Sequence, residues 1–292
     1  MLEHPNLNSK STPNDKVHRI REELTIPAEV YKSQVSSAFS RHAQTYDNHA
    51  GIQSYAANYA ANMIANLKKR AAIPEGEVLE IGCGTGLFSS HLAKLFPERK
   101  IICSDISQTM LDACRVRLQS RTTLDEHVDF LALDAEDLDA ENKFAVIASS
   151  FTIQWFFQPL HGLQRMLDAL KPGGLLIFSV PGNDSCPEWK AAADALNLPF
   201  TRNPMPAMEQ LQKLASANGL EFTIQSHFVQ ESYADAIAMM RSLKELGAGT
   251  QRNNLKLSCM QLRSLLRELD KLGNPLQVSY EIITGYYRRP YL

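Results

Sequence analysis

Three glycines at alternate positions, in the segment Glu80-Ile81-Gly82-Cys83-Gly84-Thr85-Gly86, restrict the fold of this chain more than any other feature. A short apolar run ends at Ile81 and a helical pattern begins at Leu87, so the glycines form a tight turn between a strand and a helix. A backbone without Cβ atoms lets a ligand approach closely, and open α/β sheets bind ligands at the carboxyl edge of their strands. The segment therefore predicts a ligand site where the first strand ends.

Strands and helices alternate through the middle of the chain, which is typical of βαβ units. The predicted fold class is α/β, with a mostly parallel sheet covered by helices on both faces. The predicted strands are residues 78–81, 100–104, 127–133, 144–151, 175–180, 220–229 and 276–287, and helices are predicted over 87–96, 108–118 and 159–170.

The two ends of the chain differ from this alternating core. Residues 1–32 are polar and show little periodicity, which predicts a mobile leader. Residues 33–70 carry two helical patterns that precede the first strand. Residues 232–273, between the last two strands, are helical over 235–246 and 260–272, which predicts a helical cap over the open edge of the sheet. We therefore expect one domain over residues 33–292.

Composition excludes several classes of protein. The net charge of −2 gives no overall attraction to nucleic acid or to an anionic membrane. No apolar stretch is long enough to span a membrane, and the first thirty residues contain no apolar signal segment. The five cysteines form no CxxC pair, which argues against a disulfide framework or a metal site. We expect a soluble cytoplasmic monomer that binds neither nucleic acid nor membrane and holds no metal.

The spacing of the glycines discriminates between two kinds of nucleotide ligand. The dinucleotide fingerprint G-x-G-x-x-G needs its third glycine at position 87, where this chain has Leu87. The carboxylate of Glu80 would repel a pyrophosphate, whereas it suits a cationic amino group.

Acidic residues also follow the next two predicted strands. Asp105, 19 residues after Gly86, can accept hydrogen bonds from both hydroxyls of a ribose. Asp134 can accept one from the exocyclic amine of an adenine. Both positions would also suit a helix cap or a loop acid. Together with Glu80 they describe a ligand with a ribose, an adenine and an ammonium group, which S-adenosylmethionine has.

These segments resemble the motifs of the class I methyltransferases that use S-adenosylmethionine as their cofactor. The motifs are E-x-G-x-G-x-G at 80–86, D-I-S-x-x-M-L at 105–111, the pair at 134–135, and L-K-P-G-G-x-L at 170–176. The resemblance implies a Rossmann-like, seven-stranded, mostly parallel sheet whose last hairpin is reversed. It implies that Glu80 holds the methionine amino end, Asp105 the ribose and Asp134 the adenine. The expected cofactor-binding residues are Tyr46, Gln53, Glu80, Gly82, Cys83, Gly84, Gly86, Asp105, Ile106, Met110, Asp134, Ala135 and Ser150.

Three further segments resemble the malonyl-acyl-carrier-protein O-methyltransferases of biotin synthesis. They are Ala38-Phe39-Ser40-Arg41-His42 with Tyr46, Asp47 and Gln53 behind it, Ile153-Gln154-Trp155, and Ser242-Leu243-Lys244-Glu245-Leu246-Gly247-Ala248. The resemblance implies methylation of the free carboxylate of a malonyl thioester, carried by acyl-carrier protein or by coenzyme A. It places Tyr46, Gln154 and Trp155 at the reacting groups.

The choice of acceptor depends on charge. A carboxylate is already an anion, so its methylation needs positioning more than a catalytic base. Residues 234–292 hold nine Lys and Arg against five Asp and Glu, which suits an acidic carrier protein, although solvated helix faces also need charges. Arg41, Arg241 and Arg252 are candidates for contacting the acceptor carboxylate. Two alternatives are a methyltransferase acting on a free acid, a quinone or another metabolite, and a non-catalytic protein that binds S-adenosylmethionine.

Overall fold

The computed structural model describes residues 26–120, 127–252 and 256–291. The predicted leader lies outside these residues up to position 25. Helix α1, Ala28–His42, begins five residues before the predicted boundary at residue 33. The 3-10 turn Tyr46–Asn48 follows it, and then the long helix α2, Gly51–Arg70.

Seven strands of the described chain form one sheet in the order β3-β2-β1-β4-β5-β7-β6. Strands β1 to β5 pair in parallel, whereas β7 is antiparallel to both of its neighbours. The predicted mostly parallel sheet with a reversed last hairpin is therefore confirmed. The strands are β1, Glu77–Ile81; β2, Ile101–Asp105; β3, Val128–Ala132; β4, Phe144–Ser150; β5, Leu170–Pro181; β6, Glu221–Tyr233; and β7, Leu276–Arg288.

Seven further helices of the described chain follow β1. They are α3, Ser89–Leu95; α4, Gln108–Gln119; α5, Pro159–Ala169; α6, Pro187–Ala195; α7, Met208–Ala217; α8, Ala236–Glu245; and α9, Cys259–Asp270. The sequence pattern predicts neither α6 nor α7. It also starts β5 five residues too late, because the segment from Leu170 to Gly174 joins the sheet through an irregular register instead of forming a loop.

The central strands β1, β2, β4 and β5 are buried on both faces because helices cover each side of the sheet, and successive residues of a strand point to opposite sides. Val78 packs with the small residues of α2 and with α3 and α4. Leu79 and Ile81 pack on the other face with α5 and α7. A third cluster joins α6, α8 and α9 to the ends of β6 and β7. These layers leave the carboxyl ends of β1, β2 and β4 uncovered, and the candidate site lies there.

Candidate active site

A cavity with about 930 Å³ of empty space lies at the carboxyl ends of β1, β2 and β4. Thirteen of the fifteen residues expected at the site line it, and they come from several different elements and loops. They are Tyr46, Gln53, Glu80, Gly82, Cys83, Gly84, Asp105, Ile106, Met110, Asp134, Ala135, Ser150 and Trp155. The remaining two lie elsewhere. Gly86 packs against α4, where an added Cβ would lie 2.9 Å from Cys114 Sγ, and Gln154 lines a second cavity.

The first two glycines of the turn have different structural roles. Gly82 has φ +68°, and a Cβ there would lie 2.2 Å from Thr152 Oγ1. The same hydroxyl donates a hydrogen bond to the Gly82 carbonyl at 3.1 Å, so this glycine allows the turn to touch the loop after β4. Gly84 has φ +53° and its Cβ position has no atom within 4 Å. Gly84 therefore leaves open the space in front of the turn.

Asp105 is fixed by backbone donors at the end of β2. Its Oδ2 accepts from Gly84 N–H at 3.0 Å and its Oδ1 accepts from Ser107 N–H at 2.8 Å. Burial raises the pKa of Asp105 to about 6, and these two N–H groups oppose the rise by stabilising the carboxylate. Each oxygen retains a lone pair for a further donor, so the carboxylate can accept two vicinal hydroxyls.

Glu80 lies beneath the turn on the face covered by α3. Its side chain is buried and its Oε2 accepts a hydrogen bond from Ser89 Oγ. Burial raises the pKa of Glu80 well above its ordinary value, and the nearby Cys114 raises it further. A cationic group in the cavity would stabilise the ionised form.

Asp47 joins the 3-10 turn to the glycine turn. Asp47 Oδ1 accepts from Thr85 Oγ1 at 2.7 Å, and its other oxygen pairs with Arg117 of α4. Arg117 Nε also donates to the Thr85 carbonyl at 2.6 Å. Burial raises the pKa of Tyr46, and the carboxylates of Asp105 and Asp47 raise it further. Neither Thr85 nor Arg117 could be assigned a role from the sequence, because their contacts depend on how the 3-10 turn packs against α4.

Asp134 lines the same cavity, and one of its oxygens is bonded to the backbone. Its Oδ1 accepts from Glu136 N–H at 3.0 Å and its Oδ2 forms an ion pair with Lys32 of α1 at 2.7 Å. Lys32 could not be identified from the sequence, since nothing in its local pattern separates it from other helix-surface lysines.

A second and larger cavity, with about 3270 Å³ of empty space, opens between α1 and the cap helices α8 and α9. It shares Gln53, Phe151 and Trp155 with the first cavity, so the two meet at these three side chains. Phe39 of α1 contacts Trp155 edge-to-face, with 5.4 Å between ring centroids, and supports this junction. Basic side chains line the second cavity at Arg41, Arg202, Arg241, Lys244 and Lys256.

Unpaired polar atoms are concentrated around the junction. Gln53 Oε1, Ser150 Oγ, Gln154 Oε1 and Arg252 Nε are buried and lack a hydrogen-bond partner in the described chain. Gln154 is otherwise held in place, since its Nε2 donates to the Phe151 carbonyl at 2.7 Å and its own carbonyl accepts from Arg252 at 2.8 Å. Buried polar atoms of this kind are expected to pair with a ligand.

The described residues contain neither a helix that could cross a membrane nor a cluster of metal-binding side chains. Over 26–120, 127–252 and 256–291 no helix is long and apolar enough to cross a membrane. No group of three or more His, Cys, Asp or Glu in the same ranges could hold a metal ion.

Comparisons with known sequences find methyltransferases. Residues 78–174 match the family model described as "Methyltransferase domain". A malonyl-[acyl-carrier protein] O-methyltransferase of Magnetococcus marinus is 28% identical over 260 residues, covering 88% of this chain and 93% of the relative. The malonyl-[acyl-carrier protein] O-methyltransferase 2 of Ilyobacter polytropus is 30% identical over 228 residues, covering 77% and 84%. A biotin biosynthesis bifunctional protein of Bordetella avium is 31% identical over 259 residues, covering 88% of this chain and 52% of the relative.

Solved structures of the same fold are more distant in sequence. The YcgJ protein of Bacillus subtilis superposes with a TM-score of 0.56 at 19% identity, covering 80% of this chain and 100% of that chain. A magnesium protoporphyrin IX methyltransferase of Synechocystis with bound SAH has a TM-score of 0.50 at 13% identity, covering 80% and 82%. These likenesses show that the sheet and its helices have the methyltransferase arrangement.

Proposed function

The chain belongs to the malonyl-[acyl-carrier protein] O-methyltransferase family, as its motifs predicted, and we propose that it methylates the free carboxylate of a malonyl thioester in biotin synthesis. The observation that carries this proposal is the meeting of two cavities at Gln53, Phe151 and Trp155. In-line transfer requires donor and acceptor to reach each other from two sides, and this junction permits that approach.

The first cavity fits S-adenosylmethionine. Asp105 can accept the ribose hydroxyls, Asp134 can accept the adenine amine, and Glu80 lies where a cationic amino group would stabilise it. The open space before Gly84 and the orphaned oxygens of Gln53 and Ser150 leave room and partners for the methionine part. When bound, the cofactor supplies a methyl group on a sulfonium, which is electrophilic enough for a carboxylate to attack.

The residues at the junction orient the acceptor. Gln154 offers a buried Oε1 that is fixed by its neighbours, and Tyr46 and Trp155 close the cofactor side against water. The raised pKa of Tyr46 keeps its hydroxyl protonated as a hydrogen-bond donor. Arg41 and Arg202 line the acceptor cavity and can neutralise the carboxylate, Arg241 lies on the exposed rim of that cavity, and Arg252 is bound to the Gln154 carbonyl and supports that residue.

The partner in this proposal is malonyl-loaded acyl-carrier protein. Arg41, Arg241, Lys244 and Lys256 are exposed around the second cavity, and none of them has an ion-pair partner among the described residues. An acidic carrier protein would complement this rim and present its thioester to the cavity.

We further propose the organisation and setting of the enzyme. Residues 33–292 act as one domain with residues 232–273 as its cap, since α8 and α9 share a buried cluster with β6 and β7. The free cysteines suit a reducing compartment, which supports a cytoplasmic enzyme, and we propose that it acts as a monomer.

The test is single-turnover transfer of labelled methyl from S-adenosylmethionine. Malonyl-carrier protein, malonyl-coenzyme A and a panel of free diacids are offered separately. We expect labelled ester to form on the malonyl thioester, fastest on the carrier protein. Label on free diacids alone would identify a small-molecule methyltransferase, and cofactor binding without any transfer would identify a non-catalytic binding protein.

A pair of matched variants links the activity to the junction. Gln154→Leu removes the buried amide while keeping the size of the side chain, and we expect it to slow the single-turnover rate. Gln119→Leu changes an exposed glutamine at the end of α4 and should leave the rate unchanged. Equal rates for both variants would contradict the role of Gln154.

A further inference from the structure

Helix α1 separates the two cavities. One face of the helix lines the cofactor cavity with Lys32, Val35 and Phe39. Another face lines the acceptor cavity with Ser37, Ala38 and Arg41. The position of this one helix therefore affects both cavities.

Side-chain contacts hold α1 differently along its length. Ser36 Oγ donates to the Ile106 carbonyl at 3.3 Å, and Ser40 Oγ lies 2.8 Å from Ser107 Oγ. Nearer its N-terminus, Lys32 Nζ lies 2.7 Å from Asp134 Oδ2 and 3.2 Å from Glu136 Oε2. The Lys32 side chain is 21% exposed and Glu136 is 6% exposed, so this pair is less screened by water than a surface ion pair.

Both carboxylates that Lys32 contacts are themselves fixed to the backbone. Asp134 Oδ1 accepts from Glu136 N–H, which leaves Oδ2 directed at Lys32. Glu136 accepts from the N–H groups of Phe157 and Gln158 at 2.9 and 2.6 Å, in the segment that follows Trp155. Lys32 therefore binds α1 to the wall of the adenine pocket and to the segment behind the junction.

We infer that Lys32 is a positioning residue for the cofactor: it orients the Asp134 carboxylate toward the adenine amine and holds α1 closed over the adenine. This inference rests on the proposed function for the identity of the cofactor. Asp134 Oδ2 has two lone pairs, so it accepts from Lys32 and from the adenine amine together. Loss of Lys32 frees the carboxylate to rotate and releases the first turns of α1.

The test measures binding of S-adenosylhomocysteine by calorimetry, which needs no acceptor. Lys32→Met keeps the length of the side chain and removes its charge, and we expect affinity to fall about tenfold, as for loss of a charged hydrogen bond. Lys32→Arg keeps the charge and should restore most of the affinity. Lys69→Met is the matched control, because Lys69 is exposed on α2, away from both cavities. Thermal unfolding of each variant identifies any that fails to fold.

A double-mutant cycle tests whether Lys32 acts through Asp134. Asp134→Asn can retain the bond to Glu136 N–H through its amide oxygen but offers no acceptor at the second position. We expect Lys32→Met to weaken binding little further in the Asp134→Asn background. Additive losses, or an affinity of folded Lys32→Met within twofold of wild type, would overturn the inference.

Amide hydrogen exchange gives a second readout. S-adenosylhomocysteine should protect the amides of residues 28–35 in the wild type and protect them less in Lys32→Met. Equal protection in both would contradict closure by Lys32. Failure of the proposed function would be distinguishable, since wild-type protein would then bind the ligand and transfer no methyl group to a malonyl thioester.

Discussion

At the scale of single residues, Gly82 and Gly84 are both needed, for different reasons. A methyl group at Gly82 would overlap the Thr152 side chain, whereas one at Gly84 would enter the open space of the cavity. Gly82→Ala should therefore destabilise the fold by about 3 kcal/mol through strain and overlap.

The matched variant Gly84→Ala should unfold at nearly the wild-type temperature, since its backbone strain costs only about 1 kcal/mol. Its affinity for S-adenosylhomocysteine should nevertheless fall about tenfold, because the methyl group occupies ligand space. Denaturant unfolding and calorimetry on the two variants check these outcomes. If Gly82→Ala and Gly84→Ala lost stability and affinity in the same proportion, the proposed difference between the two glycines would be wrong.

The pKa of Asp105 predicts a pH dependence of cofactor binding. The carboxylate must be ionised to accept two hydroxyls, and burial raises its pKa to about 6. Affinity for S-adenosylhomocysteine should be constant above about pH 7 and should weaken up to about tenfold per pH unit below 6. Calorimetry across pH 5 to 8 checks this, and Asp105→Asn should bind weakly with no break near pH 6.

The same residue affects stability in the opposite direction. An unfolded aspartate has a pKa of about 3.9, so between that value and about 6 the folded state keeps a proton that the unfolded chain has released. This residue's contribution to the free energy of unfolding therefore falls as pH rises through that window. Loss of binding below pH 6 is thus not explained by acid unfolding at Asp105.

At the scale of elements, the sequence predicted what depends on short-range pattern. Strands β1 to β5 coincide with apolar runs of the sequence. Their parallel pairing brings Glu80, Asp105 and Asp134 to one edge of the sheet, because β1, β2 and β3 all end there. The position of the acids could therefore be predicted without knowing any contact. The extension of β6 to Tyr233 could not, since it depends on pairing with Leu276 across the cap insertion.

Helix α6 could not be predicted from the sequence for a related reason. Helix α6 is only nine residues long and starts at Pro187, directly after Cys186 in a left-handed conformation. A helix this short is stable only through its packing, which here is against α9 and β7. The contact of Lys32 with Asp134 likewise joins residues about a hundred positions apart, and no local pattern encodes it.

At the scale of the whole molecule, charge separates the two substrate sides. Acidic groups line the first cavity, and basic groups that have no ion-pair partner among the described residues line the second. Reversing Arg241→Glu and Lys244→Glu together should lower kcat/KM for malonyl-carrier protein by about tenfold or more at low salt. The change for malonyl-pantetheine, which lacks the acidic protein, should be small.

Salt and a second double variant control this experiment. The difference between the two acceptors should shrink as ionic strength rises, because salt screens exposed charges. Lys69→Glu with Arg70→Glu applies the same change in charge at the end of α2, away from the acceptor cavity, and should spare both substrates. An equal loss with malonyl-pantetheine would show that Arg241 and Lys244 act on the thioester itself and not on the carrier.

Gln53, Phe151 and Trp155 line both cavities, which meet at these residues. Methyl transfer at this junction would therefore change the charge in both cavities in one step. In the proposed reaction the sulfonium loses its positive charge on the side of the first cavity, and the acceptor carboxylate loses its negative charge on the side that the arginines line. Each product is neutral at the reacting atom, so the attraction that involves the sulfonium and the carboxylate disappears, whereas the ammonium group proposed to face Glu80 keeps its charge. Under this proposal the arginines regain water in place of a carboxylate, which favours release of the ester.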